Sequence, residues 1–534
     1  MNHSPSVSEQ KAVSAVPRPI WVGLALLLVL SCVGRIPGLN YGFPEIVLRD
    51  EATYAGAALK MLQQGTLDPG EYRYGNLLHY LYYLTFAPLY FASQAIGEHA
   101  SGTPLPQWPF YHVARSLSLI SSLGCLVLLF ELGRRLFSAR VGLLAAALLA
   151  LQPLFFRYGR LAKPDIFVLL FSLMAALVFL DLYQKGGRRR FWLAGVTMAL
   201  GFSVKYSMIA LCPCVIAVFG LMRKRVADGK MPPEAASWRG LIEAFGVALI
   251  LVVVLNLSAL LNFKQALLQF QRQYHTTVQG RHIIAATLPS LGPWAVLTQH
   301  LPGALGWPLG IAAVAGWIGW GFKDGARWLI VALYPVVHYV LVCRWGFAFP
   351  RELIPIYPPL YLGAAWALDR AGQFSGKIRG VKAALGWLLL LGLLGFSLAG
   401  PIQKIWDKER RIVGGNTKVL AKQWVQHNVP PSARIAREMF VLPMSETHPD
   451  EVFARVLGDH SYQYYIDQKV QYLIKSRLPQ AALEANPDVA RNDREIEARA
   501  ERLAQWNGRE LGIEGPNLAV FRVRENTGQS PQPE

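Results

Sequence analysis

The sequence predicts a polytopic α-helical membrane protein with about eleven transmembrane helices and a small C-terminal α/β domain. Three observations carry this. Of the 534 residues, 53% are hydrophobic and 16% are charged, where soluble domains carry about a quarter charged residues. The mean hydropathy is positive, at +0.28. Apolar runs of bilayer-crossing length recur until about residue 400 and then stop.

In chain order, spans are expected near Ile20–Ile36, Tyr111–Leu136, Val141–Phe156, Asp165–Tyr183, Phe191–Ser203, Ser207–Met222, Leu241–Leu261, Leu305–Phe322, Arg327–Cys343, Glu352–Asp369 and Val381–Gly400. Lys11 and Arg18 ahead of the first run also fit a cleaved signal peptide, but the many later spans favour an uncleaved first helix. The stretch Leu77–Ile96 is left out of the count. As a full span it would put the basic loops at Arg134–Arg140, Lys185–Arg190 and Arg223–Arg225 outside, against the positive-inside rule three times in succession. Its tyrosines suit a membrane interface, so it reads as an interfacial or re-entrant pair of helices. With the N-terminus inside, Asp50, the loops Arg157–Asp165, 262–302 and Arg344–Arg351, and the C-terminal region all face outward.

The net charge of +19 sits largely in short loops between apolar runs, the pattern of membrane topology rather than of nucleic-acid binding. Cys32, Cys125, Cys212, Cys214 and Cys343 form no C-x-x-C pair and read as small hydrophobes. The expected organisation is a cytoplasmic tail at 1–19, a membrane domain at 20–400 with a large first outer loop at 38–110, an extracytoplasmic α/β domain at 401–525, and a disordered tail at 526–534. In the outer domain, Lys418–His427 and the charged segment Glu495–Trp506 read as helices. Ala433–Phe440, Val470–Ile474 and Leu518–Val523 read as strands.

Three outward-facing segments can carry chemistry. Asp50 and Glu51 are adjacent carboxylates just past the first span, suited to taking a proton from a hydroxyl, and a partly dry carboxylate has a raised pKa. The alternative is a polar pair flanking a helix start. The second segment, Arg157-Tyr158-Gly159-Arg160-Leu161-Ala162-Lys163-Pro164-Asp165, offers Arg160, Lys163 and Asp165 in a loop that is basic on the wrong side for topology alone; capping and head-group contacts are the plainer reading. The third, Arg344-Trp345-Gly346-Phe347-Ala348-Phe349-Pro350-Arg351-Glu352, supplies Arg351, whose planar guanidinium suits a phosphate, against a snorkelling role. Lys205, in a tight turn between two short spans, is a further phosphate candidate. Glu71, His79, Tyr274, His275, Arg281 and His282 lie on outer loops without diagnostic spacing.

The order of these features resembles the bacterial GT-C fold glycosyltransferases related to protein O-mannosyltransferases and to the lipid A aminoarabinose transferase. The likeness runs from the acidic pair through Ala114-Arg115-Ser116-Leu117-Ser118, Arg134-Arg135-Leu136-Phe137 and Gly142-Leu143-Leu144-Ala145-Ala146 to Gly159-Arg160-Leu161-Ala162-Lys163-Pro164-Asp165. It resumes at Pro350-Arg351-Glu352-Leu353-Ile354-Pro355 and at Asn428-Val429-Pro430-Pro431. The resemblance implies a polyprenyl-phosphate-linked sugar donor and transfer on the extracytoplasmic face. It implies Asp50 as general base, with Glu51 and Asp165 as the further acidic groups. Arg351, Lys205, Lys163 and Arg160 would then meet the donor phosphate. Two departures stand out: Tyr74-Gly75-Asn76-Leu77 replaces a Lys-Pro-Pro-Leu motif, and Glu352 replaces an aromatic.

The expected function is therefore an inverting transfer of a sugar to a hydroxyl of a protein, lipid or envelope glycan, at the inner (plasma) membrane of the cell. No metal site is expected from spacing and no cofactor is required, although a divalent metal is compatible with the carboxylates. No Walker-type glycine loop is present, in keeping with a donor that already carries its energy. A transporter or lipid flippase is the alternative, and a structural partner in an envelope assembly a weaker one. Transporters hold ionisable groups at the bilayer midplane and commonly contain inverted repeats, and neither is visible.

Overall fold

The computed structural model describes residues 16–95, 105–280, 285, 288–377 and 381–524. The expected tail at 526–534, most of the N-terminal tail, and Arg281 and His282 lie outside the described residues. Among those described, seven helices are long and apolar enough to cross a membrane: Arg18–Asn40, Trp108–Leu136, Asp165–Lys185, Tyr206–Ala227, Pro233–Leu255, Gly325–Val342 and Ala384–Gly414. Pro293–Leu305 and Trp307–Lys323, bent by 115°, make an eighth if counted as one span. The chain is a multi-pass membrane protein. The expected eleven spans are not all counted here: Tyr357–Lys377 has 21 residues but is not among the seven, and other expected spans are shorter elements packed among the long ones. Ala139–Ala150, started by the Ser138 hydroxyl accepting from the Val141 N–H, is an example. At 1.5 Å per residue it extends about 18 Å, short of the roughly 30 Å hydrocarbon layer.

Leu77–Ala95 is one continuous helix with Pro88 inside it, not a pair, and it is not among the seven. A continuous apolar core fills the membrane domain, while Leu30, Ile242, Leu249, Leu388 and Phe396 remain exposed on its outer faces, as lipid-facing residues do. The two ends of the bundle differ in charge chemistry. Asp165 and Lys185 cap opposite ends of one helix, about 30 Å apart. At the Lys185 end, Arg190 pairs with Asp181 and Arg188 with Glu243. The Asp165 end holds the site described below.

The C-terminal domain follows without a break at 401. One helix, Val381–Gly414, runs through Pro401, so the boundary expected there falls inside a helix. Gly415, with φ 121°, turns the chain into the helix Thr417–Asn428. Five strands follow: β1 (Ile435–Glu438), β2 (Val452–Ala454), β3 (Tyr472–Ser476), β4 (Glu501–Trp506) and β5 (Leu518–Arg522), in the sheet order β2-β1-β3-β5-β4. β1 is parallel to β2 and β3, and β5 is antiparallel to β3 and β4. Both faces are covered. Ile435, Ile474 and Val520 pack on one side, and Ala436, Leu473 and Phe521 on the other. The expected helix Glu495–Trp506 divides into a helix, Pro487–Arg499, and β4. The polar segment satisfies either period, and pairing with β5 decides for strand.

The C-terminal domain grips the segment that leads to Asp50. Asn416 donates through Nδ2 to the Tyr41 hydroxyl. Lys418 Nζ donates to the Val47 carbonyl at 3.0 Å, and Lys422 pairs with Glu45 at 2.9 Å. The Arg49 guanidinium lies 5.6 Å from the centre of the Phe453 ring.

Candidate active site

Asp50 and Glu51 start a short helix after Leu48, and their side chains diverge. Glu51 is fully buried. It accepts from Arg115 Nε at 3.0 Å and Nη2 at 2.7 Å, and from the Ala162 N–H at 3.0 Å. Arg115 is equally buried, and its Nη1 donates to the carbonyls of Leu39 and Tyr41 at 2.7 and 2.8 Å. The catalytic part expected of Glu51 therefore has no free oxygen to work with. This carboxylate ties three segments together: the outer loop after the first span, the helix Trp108–Leu136 and the turn before Lys163.

Asp50 points the other way and keeps a side chain that is 52% exposed in a crowded mouth. Lys163 Nζ donates to Asp50 Oδ2 at 2.8 Å, and Arg351 Nη1 lies 3.5 Å from the same oxygen. Arg351 Nε lies 3.7 Å from Asp165 Oδ1, and its guanidinium stacks 4.2 Å from the Phe349 ring centre. Burial would raise the Asp50 carboxyl. The Lys163 ammonium and then the Arg351 guanidinium outweigh it and hold Asp50 at about 2. The raised pKa expected from a partly dry setting is thus reversed, because two cations share this carboxylate. The ordinary value is 3.8, so the pairing contributes stability above about pH 4 that is lost as pH falls through about 2.

Beside this cluster, Lys205 Nζ pairs with Glu352 Oε2 at 2.6 Å, both nearly buried, and the His338 ring Nε2 sits 3.0 Å from the Glu352 carbonyl oxygen. Lys205 is brought near by Gly75, whose bare Cα packs on the Ser203 backbone where a Cβ would collide. Asn76 then locks the segment, donating through Nδ2 to Ser258 at 2.8 Å. Arg160 does not join the cluster: it forms a bidentate pair with Glu409 at 2.6 and 2.5 Å. Arg73 is held by Glu71 at 2.7 Å. His79 is buried with Nε2 3.2 Å from the Thr53 carbonyl, and the His275 ring Nδ1 lies 2.8 Å from Gln279 Oε1.

The structure thus brings together Asp50, Lys163, Asp165, Arg351, Lys205 and Glu352, and sets Glu51 and Arg160 apart. No three His, Cys, Asp or Glu side chains group as a metal-holding set among the described residues. Arg351 occupies the position between Asp50 and Asp165. Sequence reasoning missed Arg115, Glu409 and Lys418 as partners. An arginine early in an apolar helix was the available signal for Arg115; nothing local marks the other two, whose partners lie in segments distant in sequence.

Burial pushes the Lys418 ammonium down to about 8, with Asp50 opposing and Arg49 adding to the fall. Lys418 and Asp50 thus attract one another where the C-terminal domain meets the segment that bears Asp50. Lys418→Met and Lys422→Ala are each expected to lower kcat roughly tenfold, by letting Asp50 drift. Binding of a lipid phosphate should stay unchanged. Steady-state transfer kinetics beside a direct binding assay separates the two, and a change confined to binding would refute the positioning role.

Residues 111–255 match the family model for dolichyl-phosphate-mannose-protein mannosyltransferases. A search of curated proteins finds no matching relative. Among solved structures, the chain is similar to the oligosaccharyltransferase AglB of Archaeoglobus fulgidus, solved with an inhibitory peptide and a dolichol-phosphate. The two share 13% identity with a TM-score of 0.55, over 93% of this chain and 74% of that one. It is also similar to ArnT from Cupriavidus metallidurans bound to undecaprenyl phosphate, at 14% identity and a TM-score of 0.53, over 96% and 99% of the two chains. In fold the chain is similar to both of these membrane proteins, and one segment of it matches the mannosyltransferase family model.

Proposed function

We propose that the protein transfers a sugar from a polyprenyl-phosphate donor to a hydroxyl acceptor, with inversion, on the extracytoplasmic side of the plasma membrane. The observation that carries this reading is one exposed carboxylate, Asp50, held between two cations at the end of the bundle opposite the basic loops. The phosphate-bearing lipids bound by the two similar structures support the donor class. The acceptor oxygen attacks the anomeric carbon and the bond from that carbon to the phosphate oxygen breaks. The acceptor proton passes to Asp50, and the lipid phosphate leaves with the bonding electrons. That leaving group already bears charge, so Lys163 and Arg351, with Lys205 nearby, do more by stabilising it than a general acid would. Asp165 keeps Arg351 in place. The membrane part forms the lipid and donor site, and the outer domain steadies Asp50.

A carboxylate held at about 2 is a weak base. The donor corrects this: its phosphate takes up the charge of Lys163 and of Arg351, which Asp165 keeps in place, and adds negative charge beside Asp50, so the carboxyl rises. The acid limb of kcat/KM, which reports the free enzyme, is therefore expected at lower pH than the acid limb of kcat, which reports the bound complex. Coincident limbs would exclude the exchange. Transport is the poorer reading because the site's charged groups gather at helix ends. Membranes containing the protein, fed a panel of radiolabelled polyprenyl-phosphate sugars, test the activity. Label leaving the lipid supports transfer; retention of label with every donor, from folded protein, refutes it.

A further inference from the structure

A second group of cations lies at the junction of the membrane helices and the outer domain. A narrow cleft there is lined by Tyr41, Leu48, Arg157, Leu161, Lys408 and Glu514. Arg411 lies one helical turn from Lys408 on the same face, within electrostatic reach of it, as is Arg157. Lys408 pairs with Glu514, and the neighbouring Arg160 takes both oxygens of Glu409. The remaining two arginines have no such partner. Among the described residues Arg157 forms no hydrogen bond or ion pair, only a stack 5.6 Å from the Tyr158 ring centre, and the Arg411 Nε is buried and unsatisfied. Glu409 and Glu514 are taken by Arg160 and Lys408, Asp407 forms no pair with Arg411 among the described residues, and an unpaired cation at a partly buried junction is costly without an anion.

The position of the cleft gives that anion a meaning. Leu48 and Leu161 line it, and each lies two residues before a site group, Asp50 and Lys163 respectively. Two residues span at most about 7 Å, so the wall of the cleft adjoins the Asp50 cluster. We infer that the cleft binds an anionic substituent, a phosphate or a carboxylate, of the acceptor molecule, against Arg157, Arg411 and Lys408. The acceptor class is then a hydroxyl compound that bears a negatively charged substituent near the hydroxyl that is glycosylated. This deepens the transferase reading and rests on it for the word acceptor, while the binding of an anion stands separately.

The test is local and needs no turnover. The full chain in nanodiscs of phosphatidylcholine is treated with an amine-acylating reagent, and modification of Lys408 is followed by mass spectrometry. Inorganic phosphate is compared with sodium chloride at equal ionic strength. With phosphate near ten times its Kd, labelling is expected to slow about tenfold, and Arg157→Gln with Arg411→Gln should abolish the protection. Nanodiscs containing phosphatidylglycerol form a second arm: protection there without added phosphate identifies a lipid head group as the source of the anion, and its absence identifies a soluble or acceptor-borne group. Equal labelling in every arm of the wild-type protein overturns the site. If transfer activity is found, the double variant should raise KM for anionic acceptors and leave a neutral hydroxyl acceptor untouched. An equal loss for both acceptors overturns the acceptor assignment while leaving the transferase reading intact.

Discussion

Asp50→Asn is expected to lower sugar transfer by about 10²- to 10⁴-fold and, at the same time, to tighten binding of the lipid phosphate. The first effect follows from the proposed base. An amide cannot take the acceptor proton, and the other site carboxylates are engaged, Asp165 with Arg351 and Glu352 with Lys205. The second follows from the resting geometry. Asp50 occupies the same cations that a phosphate would use, with Lys163 at 2.8 Å and Arg351 at 3.5 Å from one oxygen. Removing its charge removes a competitor, so the price of displacement disappears. A transfer assay beside a binding titration with polyprenyl phosphate reads both. Slower transfer with weaker lipid binding would mean that Asp50 holds the site together and does not compete for it. Full activity in the variant would end the base assignment.

Glu51→Ala is expected to destabilise the protein by about 3–5 kcal/mol, because it strands the fully buried Arg115 guanidinium. It also frees the Ala162 N–H, so the turn carrying Lys163 loosens and activity falls with stability. The control is the pair: Glu51→Gln with Arg115→Met removes both charges, and its cost should be well below the sum of the single changes. Thermal unfolding in detergent checks this. Additive effects would mean that the two side chains are not coupled, against their bidentate contact. The adjacent acids thus separate by kind of failure: loss at Asp50 leaves a folded, slow protein, and loss at Glu51 leaves an unstable one.

The membrane character and the C-terminal α/β part were legible in the sequence because each rests on patterns along the chain. Hydropathy gives long helices, and Asp50, Asp165 and Arg351 stood out as charged residues beside apolar runs, which the structure brings together. What the sequence left open depends on contacts between distant segments. Nothing near Asp50 and Glu51 says which carboxylate faces inward; Arg115, 64 residues on, makes that choice. The lowered Asp50 pKa likewise needs Lys163 and Arg351, and the capture of Arg160 needs Glu409, 249 residues away. β4 was hidden because its pairing partner, β5, imposes a period that the charged segment does not carry by itself.

The uninterrupted helix Val381–Gly414 has a consequence for how the protein can vary. It is 34 residues long and extends about 50 Å, and it passes from the lipid-facing surface to the point where Glu409 meets Arg160 and Lys408 meets Glu514. Each residue added to or removed from such a helix turns everything beyond it by about 100° and shifts it by about 1.5 Å. The helix is therefore a phase-setting spacer. Length changes of a single residue would swing Glu409 and Lys408 off their partners and rotate the outer domain away from the segment that bears Asp50. This connection can change only in near-whole turns, so the geometry around Asp50 is written partly into the length of a helix that contributes no side chain to the Asp50 cluster itself.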